Sequence, residues 1–209
     1  MSMIARQFAG PSGMLGNLVT RLLARGNGDL NRWAVATLAA SGPAPAVAIE
    51  VGSGPGIALA ELARLFPAAH VIGVDPSGVV NRAARRRNAA AIAEGRVSLV
   101  RGDVSALRAY GPADLVLAVH VIYFWEDPVR ELRRIHEVLT PGGRVALGYQ
   151  LRRDMPQSAQ REFPKAGYTL YDSDEAVTSL LVSAGFASPE VRVLGTPERP
   201  GGRLAIGSA

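Results

Sequence analysis

Residues 46–56, Ala-Val-Ala-Ile-Glu-Val-Gly-Ser-Gly-Pro-Gly, decide the fold: an apolar strand closes on an acid and runs into a turn with three alternating glycines. Ala46, Val47, Ala48, Ile49 and Val51 form an apolar run interrupted only by Glu50, the pattern of a parallel strand covered on both faces. Gly52, Gly54 and Gly56 remove Cβ atoms where the chain must turn sharply and a ligand must come close to the backbone. A helix is expected from Ile57 to Phe66, with its first N–H groups facing the same place. An ordinary strand-to-helix connection is the alternative, and three glycines in alternation after an acid speak against it.

Working outward, His70 to Asp75 (HVIGVD) reads as a second strand ending in an acid, 19 residues beyond Gly56. A carboxylate there can accept both hydroxyls of a ribose, a device that dinucleotide enzymes share. Val97 to Arg101 (VSLVR) is a third strand and leads into Gly102-Asp103-Val104, where Asp103 reads either as a ligand group or as a helix cap. Ala113 to Val119 (ADLVLAV) is a fourth. After His120 to Pro128 (HVIYFWEDP), Val129, Leu132, Ile135 and Leu139 recur at helical spacing. Leu139-Thr140-Pro141-Gly142-Gly143 is expected to stop that helix and turn the chain into a strand over Arg144 to Tyr149. The tail predicts a helix over Ser173 to Ala184, a strand over Val191 to Leu194, a turn over Pro197 to Gly202 and a last strand over Arg203 to Ile206.

A dinucleotide fingerprint, G-x-G-x-x-G, wants its third glycine where this chain has Ile57; the pattern here is G-x-G-x-G. That spacing resembles motif I of the class I S-adenosylmethionine-dependent methyltransferases, whose glycine loop passes beneath the methionine part of the cofactor. Gly102-Asp103-Val104 resembles the motif in which an acid takes the adenine amino group while the next backbone reads the ring, and helix–L-x-P-G-G–strand is a recurring unit of the same family. The whole is most similar to the small-molecule methyltransferases grouped with the ubiquinone/menaquinone-biosynthesis enzymes (methyltransferase type 11), including members with Y-F-W-x-D-P after the fourth strand. The resemblance implies an α/β fold: a Rossmann-like, seven-stranded, mostly parallel sheet with helices on both faces, an antiparallel C-terminal strand and an N-terminal helical arm. It implies S-adenosyl-L-methionine as cofactor, S-adenosyl-L-homocysteine as product, and a cofactor site of Glu50, Gly52, Ser53, Gly54, Gly56, Asp75, Pro76, Asp103, Val104 and His120. His120 stands where Asn is expected in this subgroup. A neutral imidazole can take a proton that an amide cannot, so His120 is either a base or a space-filling residue at the methionyl end. A nicotinamide-dependent oxidoreductase and a non-catalytic S-adenosylmethionine-binding protein stay open as alternatives.

A chain of 209 residues, 48% hydrophobic and 20% charged, has the size of one α/β domain, and no linker, repeat or low-complexity tract divides it. Gly42-Pro43-Ala44-Pro45 separates an arm, residues 1–43, from the sheet. The absence of cysteine excludes disulfides, thiolate metal sites and a Cys nucleophile, and His70, His120 and His136 suggest no shared metal. The apolar runs are strand-sized, so no membrane span is expected, and with no signal-peptide core in the first thirty residues a cytoplasmic location is expected. A net charge of +5 raises the question of nucleic acid. Lys165 is the single lysine among 23 basic residues, and the densest cluster, Arg82, Arg85, Arg86 and Arg87, has no aromatic beside it for base stacking, so a solvated helix face is the preferred reading. Oligomeric state is left open.

The small-molecule acceptor should meet residues beyond the common core. In the arm, Phe8 and Met14 flank a Gly-Pro-Ser-Gly turn and read as an apolar flap, with a core-completing docking helix as the alternative. Tyr123 and Trp125 follow the fourth strand, where an acceptor pocket opens in α/β sheets. Residues 150–172, with Phe163, Tyr168 and Tyr171, are too many for a plain connection and are expected to form a lid. An aromatic, lysine-poor pocket suits a flat or apolar acceptor.

Overall fold

The computed structural model of the protein describes residues 28–196 and 199–209. Helix α1 (Gly28–Ser41) is followed by β1 (Val47–Val51), α2 (Ile57–Leu65), β2 (His70–Asp75), α3 (Gly78–Arg87), a short α4 (Ala89–Ala93) and β3 (Val97–Arg101). Next come a 3₁₀ turn (Val104–Ala109), β4 (Ala113–Val119), a second turn (Ile122–Phe124), α5 (Pro128–Val138) and β5 (Leu139–Tyr149). A third turn (Arg152–Asp154), α6 (Gln157–Lys165), α7 (Asp174–Ala184), β6 (Ala187–Thr196) and β7 (Arg199–Ser208) complete the chain.

The strands form one seven-stranded sheet in the order β3-β2-β1-β4-β5-β7-β6. β1 to β5 run parallel, and β7 pairs antiparallel with both β5 and β6. Alternation along the buried strands sorts the core into two layers. Ile49, Val51, Val116 and Ala118 pack with Leu132, Ile135, Val177 and Leu181 of α5 and α7, while Ala48, Leu115 and Leu117 pack with Leu30, Leu38, Leu59 and Leu62 of α1 and α2. Each such side chain, taken out of water, contributes about 1.5 to 3 kcal/mol. The register of β1 on β4 is clamped from below, where Asp114 Oδ2 accepts the Ala46 N–H at 2.8 Å and the Val47 N–H at 3.0 Å. Helix starts are also fixed locally: Asp127 caps α5 ahead of Pro128, and Ser173 caps α7, which ends on Gly185 at φ 104°.

Two expectations need correction. The Pro-Gly-Gly segment is not a free turn: Leu139 already pairs with Ala113, and Gly142 and Gly143 exchange backbone hydrogen bonds with Ala209, so β5 begins at Leu139. The C-terminal hairpin is longer than the apolar pattern predicts. Gly195, at φ 89°, absorbs a register shift that lets Gly195 and Thr196 pair with Pro200 and Arg199, where a turn over 197–202 was expected. Residues 28–41, the described part of the arm, are a helix packed on α2, and the flap and docking-helix readings concern a stretch outside the described residues. Phe8 and Met14 lie outside the described residues.

Candidate functional site

From β1 the chain builds the sheet one way through β2 and β3, and from β4 the other way through β5. A crevice therefore opens at the carboxyl ends of β1 and β4, the place where open α/β sheets bind ligands. A cavity of about 940 Å³ occupies it. Glu50, Gly52, Ser53, Gly54, Asp75, Pro76, Asp103, Val104, His120, Tyr123 and Trp125 of the expected residues line it, and Asn31, Gln150, Asp154, Met155, Ala159, Glu162 and Phe163 join them.

The acids differ because their surroundings differ. Glu50 is 2% exposed, and its Oε2 has no hydrogen-bond partner. Burial, and then the nearby Asp75 charge, push its carboxyl well above the usual range, against a pull from the Leu59 N–H at the start of α2. Ser53 Oγ, buried beside it on the loop, is also without a partner. Asp75 is buried, which raises its pKa, while the Ser77 N–H at 2.8 Å and the Gly54 N–H at 3.0 Å hold one carboxylate oxygen each. Each oxygen keeps lone-pair capacity toward the cavity. Asp103 lines the cavity and caps the 3₁₀ turn, accepting the Ser105 N–H at 2.9 Å and the Ser105 hydroxyl at 2.6 Å. Those two bonds hold its carboxyl below the ordinary value.

The glycines divide. Gly54 takes φ 51°, and a Cβ there would meet nothing closer than 3.9 Å, so its face is open toward an approaching group. Gly56 is a correction: it does not line the cavity. At φ 75° its Cβ would stand 2.5 Å from Asn88 Nδ2 and 3.0 Å from the Ala84 Cβ, so this glycine serves the packing of α2 on α3.

His120 sits in the left-handed region at φ 58°, with its N–H donating to the Gly148 carbonyl at 2.7 Å. Asn and His are among the few side chains that tolerate this conformation, which gives a backbone reason for either residue here. Burial pushes the imidazole from 6.5 down to about 4, so it is neutral at physiological pH.

The far half of the cavity is aromatic. Tyr123, Phe124, Trp125 and Phe163 line it, and the Tyr123 hydroxyl is locked between the Gln150 N–H at 2.6 Å and the Gln150 carbonyl at 3.1 Å. Tyr168 and Tyr171, expected at this wall, stand behind it. Tyr168 packs edge-on against Phe124 with centroids 4.9 Å apart, and buried Tyr171 aims its hydroxyl at the Ile122 carbonyl, 3.4 Å away. Asn31, Asp154 and Glu162 carry no motif that would have marked them, since their place depends on how α1 and residues 150–172 fold over the strand ends. Among the described residues no group of His, Asp and Glu could hold a metal ion, and no helix is long and apolar enough to cross a membrane.

Comparison with known proteins adds to this geometry. The profile of a family described as a methyltransferase domain matches residues 49–147. The uncharacterized methyltransferase YdaC of Bacillus subtilis is 28% identical over 134 residues, 63% of this chain and 70% of that protein. Trans-aconitate 2-methyltransferase of Methylobacterium radiotolerans is 34% identical over 104 residues, 50% of this chain. The chain spans only 38% of the length of that enzyme. The structure of the N-methyltransferase NodS from Bradyrhizobium japonicum, in complex with S-adenosyl-L-homocysteine, shares the fold with a TM-score of 0.64 at 17% identity, over 85% of this chain and 84% of that one.

Proposed function

Residues 49–147 are a methyltransferase domain of the class I, S-adenosylmethionine-dependent type, and from that premise we propose that the protein methylates a small, flat, largely apolar acceptor. One observation carries the reading: a single cavity runs from Glu50, Asp75 and Asp103 at the strand ends, past His120, to the aromatic wall of Tyr123, Phe124, Trp125 and Phe163. The residues fit the cofactor. Unpartnered Glu50 Oε2 and Ser53 Oγ suit its polar amino-acid end, Asp75 a ribose and Asp103 an adenine amino group. A cationic donor beside Glu50 would favour the ionised carboxylate that burial opposes.

When bound, the cofactor supplies a methyl group on a positively charged sulfur, which is already an activated leaving group. What remains for the chain is to hold the acceptor in line and keep water out. Orientation of that kind is worth about 7 to 11 kcal/mol of barrier for a well-placed pair. Gly54 leaves the loop open to close approach, Tyr123 fixes one wall through its two bonds to Gln150, and residues 150–172 serve as the lid.

The reading is tested by incubating the protein with S-adenosylmethionine and a panel of flat aromatic alcohols and amines, following S-adenosylhomocysteine release. Release dependent on an acceptor is expected; no release with any flat acceptor, but release with aliphatic polyacids, would overturn the acceptor class. On a responsive acceptor, His120→Asn is expected to keep turnover within about threefold, because asparagine accepts the same backbone conformation and the imidazole is desolvated. Neither protein should then show a rate limb near pH 6.5, the ordinary imidazole value. A loss of roughly 10²- to 10⁴-fold, with cofactor affinity unchanged, would make His120 the base.

A further inference from the structure

Behind the aromatic half of the cavity lies a buried group of three charges. Arg203 on β7, its side chain 6% exposed, donates from Nη1 to Asp154 Oδ2 at 2.6 Å and from Nε to Asp174, whose Oδ1 lies 2.9 Å away. The Tyr149 hydroxyl completes the group by donating to Asp174 Oδ1 at 2.7 Å. Within hydrogen-bond reach the two carboxylates share one guanidinium, and a second, Arg153, stands farther off with its Nε 3.9 Å from Asp154 Oδ1. Asp154 is the member that faces the cavity; Arg203 is not among its lining residues. Oδ2 of Asp154 is occupied by Arg203, whereas Oδ1 has only Arg153 Nε at 3.9 Å. Among the described lining residues there is no arginine or lysine, and Glu162, paired with Lys165 Nζ at 3.1 Å, is a second acid of the lining.

We propose that Asp154 sets acceptor specificity by covering Arg203 and presenting its second carboxylate oxygen beside the aromatic wall, so that the pocket takes acceptors bearing an ammonium or amine and rejects carboxylates. The inference rests on the acceptor-pocket reading above and narrows it. An aromatic wall of Tyr123, Phe124, Trp125 and Phe163 supports the same choice, because ring faces attract cations. A carboxylate entering here would meet the oxygen of Asp154 rather than Arg203, which Asp154 covers, at the cost of an unpaired anion out of water. The related enzyme named for trans-aconitate acts, by that name, on a polyacid. The architecture described here selects against such a ligand.

The test uses three probes of one shape: 2-phenylethylammonium, 2-phenylethanol and 3-phenylpropanoate, titrated by calorimetry and ligand-observed NMR at pH 7.5 into the native protein, both alone and saturated with S-adenosylhomocysteine. The ammonium should bind at least tenfold more tightly than the carboxylate, about 1.4 kcal/mol, with the alcohol between them. Asp154→Asn, with its fold checked by circular dichroism, should bring ammonium and carboxylate within about threefold by freeing Arg203. Equal or tighter binding of the carboxylate by the native protein overturns the proposal, as does failure of all three probes, or a tenfold preference that survives in Asp154→Asn. The native comparison decides even if the variant does not fold. Loss of S-adenosylhomocysteine binding with the amine preference intact would strike the cofactor reading and leave this one standing.

Discussion

Replacing Arg203 by leucine is expected to lower the unfolding free energy by about 3 kcal/mol, at the low end of what breaking a buried ion pair costs. The low end applies because Asp174 is 32% exposed, although Asp154 is 12% exposed and Arg203 only 6%. The loss arises from the partners left behind. Asp154 and Asp174 would face each other and the Tyr149 hydroxyl with no cation between them, in a place water reaches poorly. For a chain of this size the melting temperature should fall by roughly 6 to 12 °C. Arg203 pairs in register with Tyr149 of β5 and with Val193 of β6, and its contact with Asp154 ties the antiparallel hairpin to the segment that closes the cavity. The double variant Arg203→Leu with Asp154→Asn should recover part of the loss, since one of the stranded charges is then gone. Thermal unfolding of the three proteins checks this. A change under about 1 kcal/mol for Arg203→Leu, the size of a surface pair, would mean that the hairpin and residues 150–172 are held together by apolar packing alone.

Asp75→Ala should weaken S-adenosylhomocysteine binding by at least tenfold. Hydrogen bonds to a charged acceptor are worth about 1.5 to 3 kcal/mol each, and a ribose offers two hydroxyls to this carboxylate. Part of the measured loss has a different origin: the Gly54 and Ser77 N–H groups lose their acceptor, which loosens the glycine turn itself. Asp75→Asn separates the two, because an amide oxygen can keep one of those donors while the charge is removed. Burial raises the Asp75 pKa against the pull of the Ser77 and Gly54 N–H groups, so the carboxylate is protonated earlier than usual as the solution is acidified. Affinity of the native protein should therefore fall toward acid pH by an amount that Asp75→Ala no longer shows. Asp103→Ala should cost less, as Asp103 is exposed and an adenine bound beside it would keep the apolar lining that Val104 offers. Calorimetry at several pH values measures all of this, and normal binding by both folded variants would mean that the cofactor lies elsewhere.

Much of the architecture is legible in the chain because its strands are unbroken apolar runs. His70 to Asp75, Val97 to Arg101 and Ala113 to Val119 coincide with β2, β3 and β4. Asp75 and Asp103 both line the cavity, the first closing a buried strand and the second exposed two residues beyond β3, where only the Gly-Asp-Val pattern marks it. Local pattern fails where a neighbour distant in sequence decides. The three glycines look alike along the chain, yet Gly56 is required by Asn88 and Ala84 of the next helix, a contact no spacing announces. Tyr168 and Tyr171 sit in the aromatic insertion, but α6 and the turn before it place Met155, Ala159 and Phe163 at the cavity and the two tyrosines behind. Asp154 owes its importance to Arg203, 49 residues further on, and only the pairing of β7 with β5 brings them together. The extension of β6 beyond Val191 to Leu194 is not legible because the added residues, Ala187 to Glu190 with Gly195 and Thr196, are small, polar or proline and largely exposed, as an edge strand permits.

The account stands most directly on what enters the glycine turn. Calorimetric titration of the native protein with S-adenosylmethionine, S-adenosylhomocysteine and NADH addresses that turn alone, without an acceptor. A G-x-G-x-G loop with helix α2 starting at Ile57, an open Gly54 and acids at the ends of β1 and β2 predicts micromolar binding of the two sulfur compounds, about 8 kcal/mol, and no heat from NADH. Tight binding of NADH with no response to S-adenosylhomocysteine would contradict it.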